Sequence, residues 1–132
     1  MTVSRSGHTV TYTLAGAEHP EQGWGLEGES FRTIDALIAR RDRVVGVSPI
    51  IAGATVKGPA DRLMGPLGIE VSCVGVAEVY APFCSTLVID RRDAGRAADV
   101  AATGVRPVVA ETLMTDARVA AALAQHALDA VA

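Results

Sequence analysis

One cation set between glycines, Lys57 in the run Gly53-Ala54-Thr55-Val56-Lys57-Gly58-Pro59, is the side chain of this sequence best placed to act on an anion. An ammonium beside a helix start can neutralise the charge that grows on phosphate as a diphosphate bond breaks. The competing reading is a solvated loop lysine, since charged loop residues are usually exposed. Ser48 closes a short apolar run and Pro49 follows it. No G-x-S-x-G elbow surrounds it and no histidine stands at a telling distance, so a hydrogen-bonding hydroxyl is preferred to a nucleophile. Asp61 reads as the third residue of the helix opened by Gly58-Pro59, where a carboxylate offsets the helix dipole. Asp90 and Asp93 end an apolar strand and could hold Mg²⁺ through oxygen. Turn and cap roles are favoured for both, with Arg91 and Arg92 as countercharge.

The remaining reactive side chains carry less. His8, His19 and His126 share no ligand spacing. Cys73 and Cys84 form no CxxC pair, so two reduced, half-buried thiols are expected. The stretch Gly23-Trp24-Gly25-Leu26-Glu27-Gly28 follows no convincing strand and opens no helix, which rules out a dinucleotide fingerprint. Trp24 is better read as a lid over a sheet edge.

Positioning these groups requires an α/β frame. Val44 to Ser48 reads as a buried strand stopped by Pro49, which has no amide proton for the ladder. A loop follows, and Pro59 takes the favoured first helical position. Ile34, Leu37 and Ile38 give an earlier helix one apolar face, ending in the basic cluster Arg40, Arg41 and Arg43. Residues 69–79 read as an extended lead-in and then a helix. Thr86 to Ile89 is a strand, Asp93 caps a helix ending at Gly104, and Val105 to Ala110 is the next strand. A last helix opens at Thr115-Asp116 with Val119, Leu123, Ala127 and Val131 recurring every four residues. This βα alternation predicts a Rossmann-like three-layer sandwich, mostly parallel, with helices on both faces. The strand over residues 8–14 and the glycine-bearing loop after it form a separate start, so residues 1–30 are set apart from an α/β domain over 31–132. Free amides at the helix start of Gly58-Pro59 would face the carboxyl edge of the sheet, where open α/β folds hold anionic ligands, and because the Asp61 carboxylate would compete there the phosphate is expected nearer Ser48 to Gly53.

The run Ser48-Pro49-Ile50-Ile51-Ala52-Gly53, with Lys57-Gly58-Pro59-Ala60-Asp61, resembles the SPIIGG-x-x-x-KGPAD signature of the 2-phospho-L-lactate transferases, a family that builds the deazaflavin cofactor F420. The likeness continues through Leu67 to Ser72, Val76 to Tyr80, Leu87 to Asp90 and Thr112 to Met114, and covers residues 33–132. Ala52 stands where the family usually has a second glycine, and Ser85 where it often has aspartate. The family's GGVGGAK-like turn and metal-binding carboxylates are missing, so the chain resembles the C-terminal part alone and its sheet is incomplete relative to the family. The resemblance implies transfer of a phospholactyl or phosphoenolpyruvyl group from a guanosine diphosphate-linked donor to the deazaflavin Fo, releasing GMP, with Mg²⁺ held by ligands this chain lacks. It also implies that Ser48, Pro49, Ile50, Ile51, Gly53, Lys57 and Gly58 line the phosphate. No catalytic residue and no metal ligand is assigned. The alternative is a non-catalytic nucleotide-binding or assembly module derived from that enzyme.

Size and charge bound the rest. At 132 residues with 49% hydrophobic content the chain suits one core, and with only 4% aromatics that core must be aliphatic. A net charge of −3 and the lack of a basic stripe argue against nucleic acid. The start lacks an apolar signal region, and the longest uncharged run, Val44 to Val56, is short and holds a proline, so a cytoplasmic protein without a membrane span is expected. An incomplete sheet exposes strand edges, which predicts a homodimer or an N-terminal partner chain.

Overall fold

The computed structural model describes residues 2–6, 9–13 and 34–132. Strands β1 (Thr2–Ser6) and β2 (Thr9–Thr13) pair antiparallel with each other, Thr2 opposite Thr13. The strand expected over residues 8–14 is β2; β1 was not anticipated, although Thr2, Ser4 and Ser6 alternate there with Val3 and Arg5 much as Thr9, Thr11 and Thr13 alternate with Val10 and Tyr12. Trp24, His19 and the loop expected over residues 15–30 lie outside the described residues, as does the boundary drawn at residue 30.

Helix α1 spans 34–39 and turns its Ile34, Leu37 and Ile38 positions inward. A single 3-10 turn, Arg41–Arg43, leads into β3 (Val45–Val47). Arg41 does more than end a helix: its guanidinium donates to the carbonyls of Ala81 at 2.6 Å and Gly104 at 2.9 Å, tying two loops at the amino edge of the sheet. Next come β4 (Ile50–Ile51), β5 (Ala54–Thr55) and helix α2 (Ala60–Met64). Helix α3 (Cys73–Tyr80) begins after Ser72, whose backbone is extended and whose side-chain hydroxyl accepts the amides of Val74 and Gly75. That cap explains the switch from extended chain to helix within residues 69–79.

Strand β6 (Thr86–Asp90), a 3-10 segment (Arg91–Arg96), helix α4 (Ala97–Ala102), strand β7 (Arg106–Ala110) and helix α5 (Ala117–Val131) complete the chain. The sheet has the order β3-β6-β7 and both pairings are parallel, with Val45 opposite Thr86 and Asp90 opposite Ala110. All five residues of β6 are buried because both faces of the sheet are covered. Leu87 and Ile89 pack with Ile50, Val76, Ala77, Val100 and Val105, the layer made by α3 and α4. Val88, between them in sequence, faces the other way onto Ala110 and Leu123 of α5. Each of these fully buried aliphatic side chains stabilises the fold by about 1.5–3 kcal/mol. The chain is thus an α/β, Rossmann-like sandwich. Among the described residues no helix is long and apolar enough to cross a membrane.

Two glycines are demanded by close packing. A Cβ on Gly46 would lie 3.0 Å from the Tyr80 ring, which lies over β3. At Gly75 it would lie 1.9 Å from the Glu70 carbonyl oxygen, a distance no side chain tolerates. Both cysteines are free and fully buried rather than half-buried. Burial pushes each thiol pKa up, with the Asp93 charge adding to the effect at Cys73, so neither is a ready nucleophile.

Candidate functional site

The carboxyl ends of β3, β6 and β7 lie at one edge of the sheet, and Ser48, Asp90 and Asp93 stand there. Ser48 continues the ladder beyond β3, its amide donating to the Val88 carbonyl at 2.9 Å. Its hydroxyl bonds the carbonyl and amide of Ile50 at 3.1 and 3.2 Å, a local turn that reverses the chain after Pro49. Ser48 is only 4% exposed and fully engaged, in keeping with a structural hydroxyl.

Where the sequence suggested a plain loop, the structure forms a hairpin. Ile50 pairs with Thr55 and Ile51 with Ala54, leaving a two-residue turn of Ala52 and Gly53. Both turn residues have positive φ, 50° and 82°, as a type I′ turn requires. Among the described residues Ala52 is the one non-glycine with positive φ, which is the physical meaning of the missing second glycine. A left-handed conformation costs an L-residue about 1–2 kcal/mol. The hairpin is anchored by Ile50, wholly buried, and Ile51, while Ala52, Gly53 and Ala54 stay exposed.

Lys57 and Gly58 follow the hairpin on an exposed segment, Gly58 with φ 92°. Helix α2 departs from expectation. It has five residues, Pro59 is its N-cap rather than its first residue, and Asp61 is its second. The Asp61 carboxylate accepts the adjacent Arg62 amide at 2.8 Å. A helix this short, capped by a residue without an N–H and already carrying a carboxylate in its first turn, offers little to a phosphate. The amides of Ser48, Ile50 and Ala52 are likewise committed within the chain.

The two strand-end aspartates have distinct tasks. Asp90, 2% exposed, caps the 3-10 segment by accepting the Arg92 amide at 2.9 Å. Its other oxygen takes the amide and hydroxyl of Thr112, both at 3.1 Å, stitching β6 to the loop after β7. Burial pushes its pKa up, but these accepted hydrogen bonds outweigh burial and hold it below the ordinary carboxylate value. Asp93 is not the cap the sequence suggested, because the chain tightens into a 3-10 segment and Asp93 falls inside it. Its carboxylate instead accepts the Ala52 amide at 3.1 and 3.2 Å, joining the end of β6 to the tip of the hairpin.

Farther out, Arg96 bonds both Glu70, at 2.9 Å, and Asp99, at 2.9 Å. The Ser72 hydroxyl bonds Glu70 as well, and these two partners pull the Glu70 pKa down. Arg91 pairs with Glu111 at 3.1 Å. A shallow cavity of about 360 Å³ beyond β7 is lined by Glu111, Arg118, Val119, Ala122, Leu123 and His126. Sequence reasoning passed over it, since only the fold brings Glu111 beside a helix starting six residues later.

A divalent cation finds no ready cage here. Among the described residues no group of three or more His, Cys, Asp or Glu side chains converges, and the carboxylates of Asp61, Asp90 and Asp93 are each spent on backbone amides. The described residues therefore do not fit a Mg²⁺ site.

Comparison with known proteins bears on the segment that builds this edge. No family model matches the chain. A 2-phospho-L-lactate transferase of Methanosarcina acetivorans is 42% identical over 88 residues, 67% of this chain and 29% of that protein. One from Methanosarcina mazei is 41% identical over 93 residues, 70% of this chain and 31% of that protein. A phosphoenolpyruvate transferase of Streptomyces griseus is 37% identical over 87 residues, 65% of this chain and 27% of that protein. The chain spans less than a third of the length of these curated relatives.

Proposed function

Because the matched segment belongs to the 2-phospho-L-lactate transferase family, we propose that this chain serves a transferase of F420 biosynthesis, as the part that lines the guanosine diphosphate-linked donor. In that reaction the terminal hydroxyl of Fo attacks the phosphorus that carries the lactyl or enolpyruvyl group. The bond from that phosphorus to the bridging oxygen breaks, GMP leaves with the bridging oxygen, and the hydroxyl proton passes to a base. Alignment and charge neutralisation carry most of such catalysis. One observation supports this reading above others: the Ser48–Asp61 segment, which bears the family-like residues, stands at the carboxyl edge of a parallel sheet, where α/β folds bind anionic ligands.

Ser48, Pro49, Ile50, Ile51 and Gly53 shape the wall of the site. Their role is to build the hairpin, with Lys57 and Gly58 on the exposed side as the groups that meet the diphosphate. Mg²⁺, where the reaction uses it, would be held by ligands outside the described residues. A second reading has a specific observation in its favour. The chain spans less than a third of its relatives and its strand-end carboxylates are occupied, which suits a binding module that works in the cytoplasm with an N-terminal partner chain or a second copy of itself.

The test has two arms. Calorimetry should find GDP bound weakly, at about −5 kcal/mol or less favourable, and Lys57→Ala should weaken it by about 1–2 kcal/mol. Purified chain with Fo, Mg²⁺ and the donor should release no GMP by itself. No GDP binding at millimolar concentration would retire the reading, and turnover that vanishes in Asp90→Asn would show that a metal site exists after all.

A further inference from the structure

We infer that Asp93 is the positioning residue of this site, holding the hairpin from which Lys57 is presented. Three observations meet at one peptide. The Ala52 amide donates to both Asp93 oxygens, at 3.2 and 3.1 Å, across 41 residues of sequence. Ala52 is the residue held at φ 50°, and strained residues persist where their surroundings over-determine them. Asp93 itself is 9% exposed, fixed on the 3-10 segment directly after the central strand β6.

Ile50 and Ile51 anchor the base of the hairpin in the core, but its tip has no apolar anchor, since Ala52, Gly53 and Ala54 are exposed. An alanine in a turn that prefers glycine would relax by reopening the turn, and the residues after it, Lys57 included, would move with it. A charged acceptor on a partly buried amide makes one of the stronger hydrogen bonds available. Here it ties the tip to the 3-10 segment that follows the fully buried strand β6. The carboxylate stands in for the second glycine: it holds by a hydrogen bond a conformation that glycine would adopt freely. Asp93 is not assigned a contact with substrate.

The inference rests on the proposed ligand site, and its experiment separates the two. Amide hydrogen exchange of Ala52 is followed by NMR in the full chain and in Asp93→Asn, Asp93→Glu and Asp93→Ala, and each folded variant is titrated with GDP by calorimetry. Asp93→Ala should speed exchange at Ala52 and weaken GDP about tenfold, the loss expected for one charge-assisted bond. Asp93→Glu keeps the charge but places it one methylene too far, so it should behave like Asp93→Ala. Asp93→Asn keeps an acceptor oxygen but loses the charge, so both readouts should fall between those of the unaltered chain and Asp93→Ala. A purely structural role would lower the melting temperature of the alanine variant and leave GDP affinity of the folded protein unchanged, which would overturn the inference. Unchanged Ala52 exchange in Asp93→Ala or Asp93→Glu would overturn it as well, whether or not GDP binds. Absence of GDP binding by the unaltered chain sinks the ligand site, while the exchange arm still judges the tether.

Discussion

The end of β6 and the β4–β5 hairpin meet at one edge of the sheet and are built on opposite terms. Asp90 closes β6 as a buried carboxylate with three donors gathered on it, every one supplied by the chain. The hairpin closes with an exposed, left-handed alanine tied by a single amide to Asp93. One end is saturated and rigid, the other strained and open to solvent. The saturated end serves the fold, and the open end, with Lys57 beyond it, is the one proposed to meet a ligand. Strand ends with satisfied polar groups resist change, whereas low-stability elements are the ones recruited to bind.

That contrast can be broken by substitution, and the largest effect belongs to the rigid layer. Gly75→Ala sets a Cβ 1.9 Å from the Glu70 oxygen. It should cost about 3 kcal/mol or more, enough to unfold a marginal domain, as read by urea denaturation. Asp90→Ala should come next, at about 2–4 kcal/mol, since it strands the Arg92 and Thr112 donors in the interior. The pH dependence of stability carries the sign of the lowered Asp90 pKa. A folded-state pKa below the unfolded value adds stability above the unfolded value, and that stability is lost as pH falls through the folded one. Asp90→Asn should therefore flatten the acid limb of the stability curve, and Glu70, lowered by Ser72 and Arg96, adds a smaller share with the same sign. The hairpin should respond in the other direction. Ala52→Gly should raise stability by about 0.5–1 kcal/mol, relief of left-handed strain less the extra freedom of an unfolded glycine. A loss of stability there would mean that the turn is not strained.

Much of the frame was legible in the sequence because burial on both faces leaves an unmistakable trace. Leu87, Val88 and Ile89 form a continuous apolar run, and Val119, Leu123 and Ala127 keep helical spacing, so β6 and α5 could be placed without coordinates. The hairpin was hidden because Ile50-Ile51 and Ala54-Thr55 are too short to show alternation, and its turn carries alanine where glycine would have announced it. The Asp93 tether could not be read at all, being a contact across 41 residues. Asp61 was misplaced by one position because Pro59 caps α2 instead of opening it. Of the site, the residue types were visible and the geometry was not. The resemblance drew attention to Lys57, and only the fold set the hairpin before it at the sheet edge beside Asp93.

We propose that, among the described residues, the open end of this edge receives a guanosine diphosphate-type ligand. The most direct measurement is a titration of the isotopically labelled chain with GDP, followed residue by residue through backbone amide shifts. Shifts should concentrate at Ile50 to Gly58 and at Asp93, with the amides of β6 and of α5 nearly still. Shifts centred instead on Arg118, Ala122 and His126, or none at millimolar GDP, would contradict it.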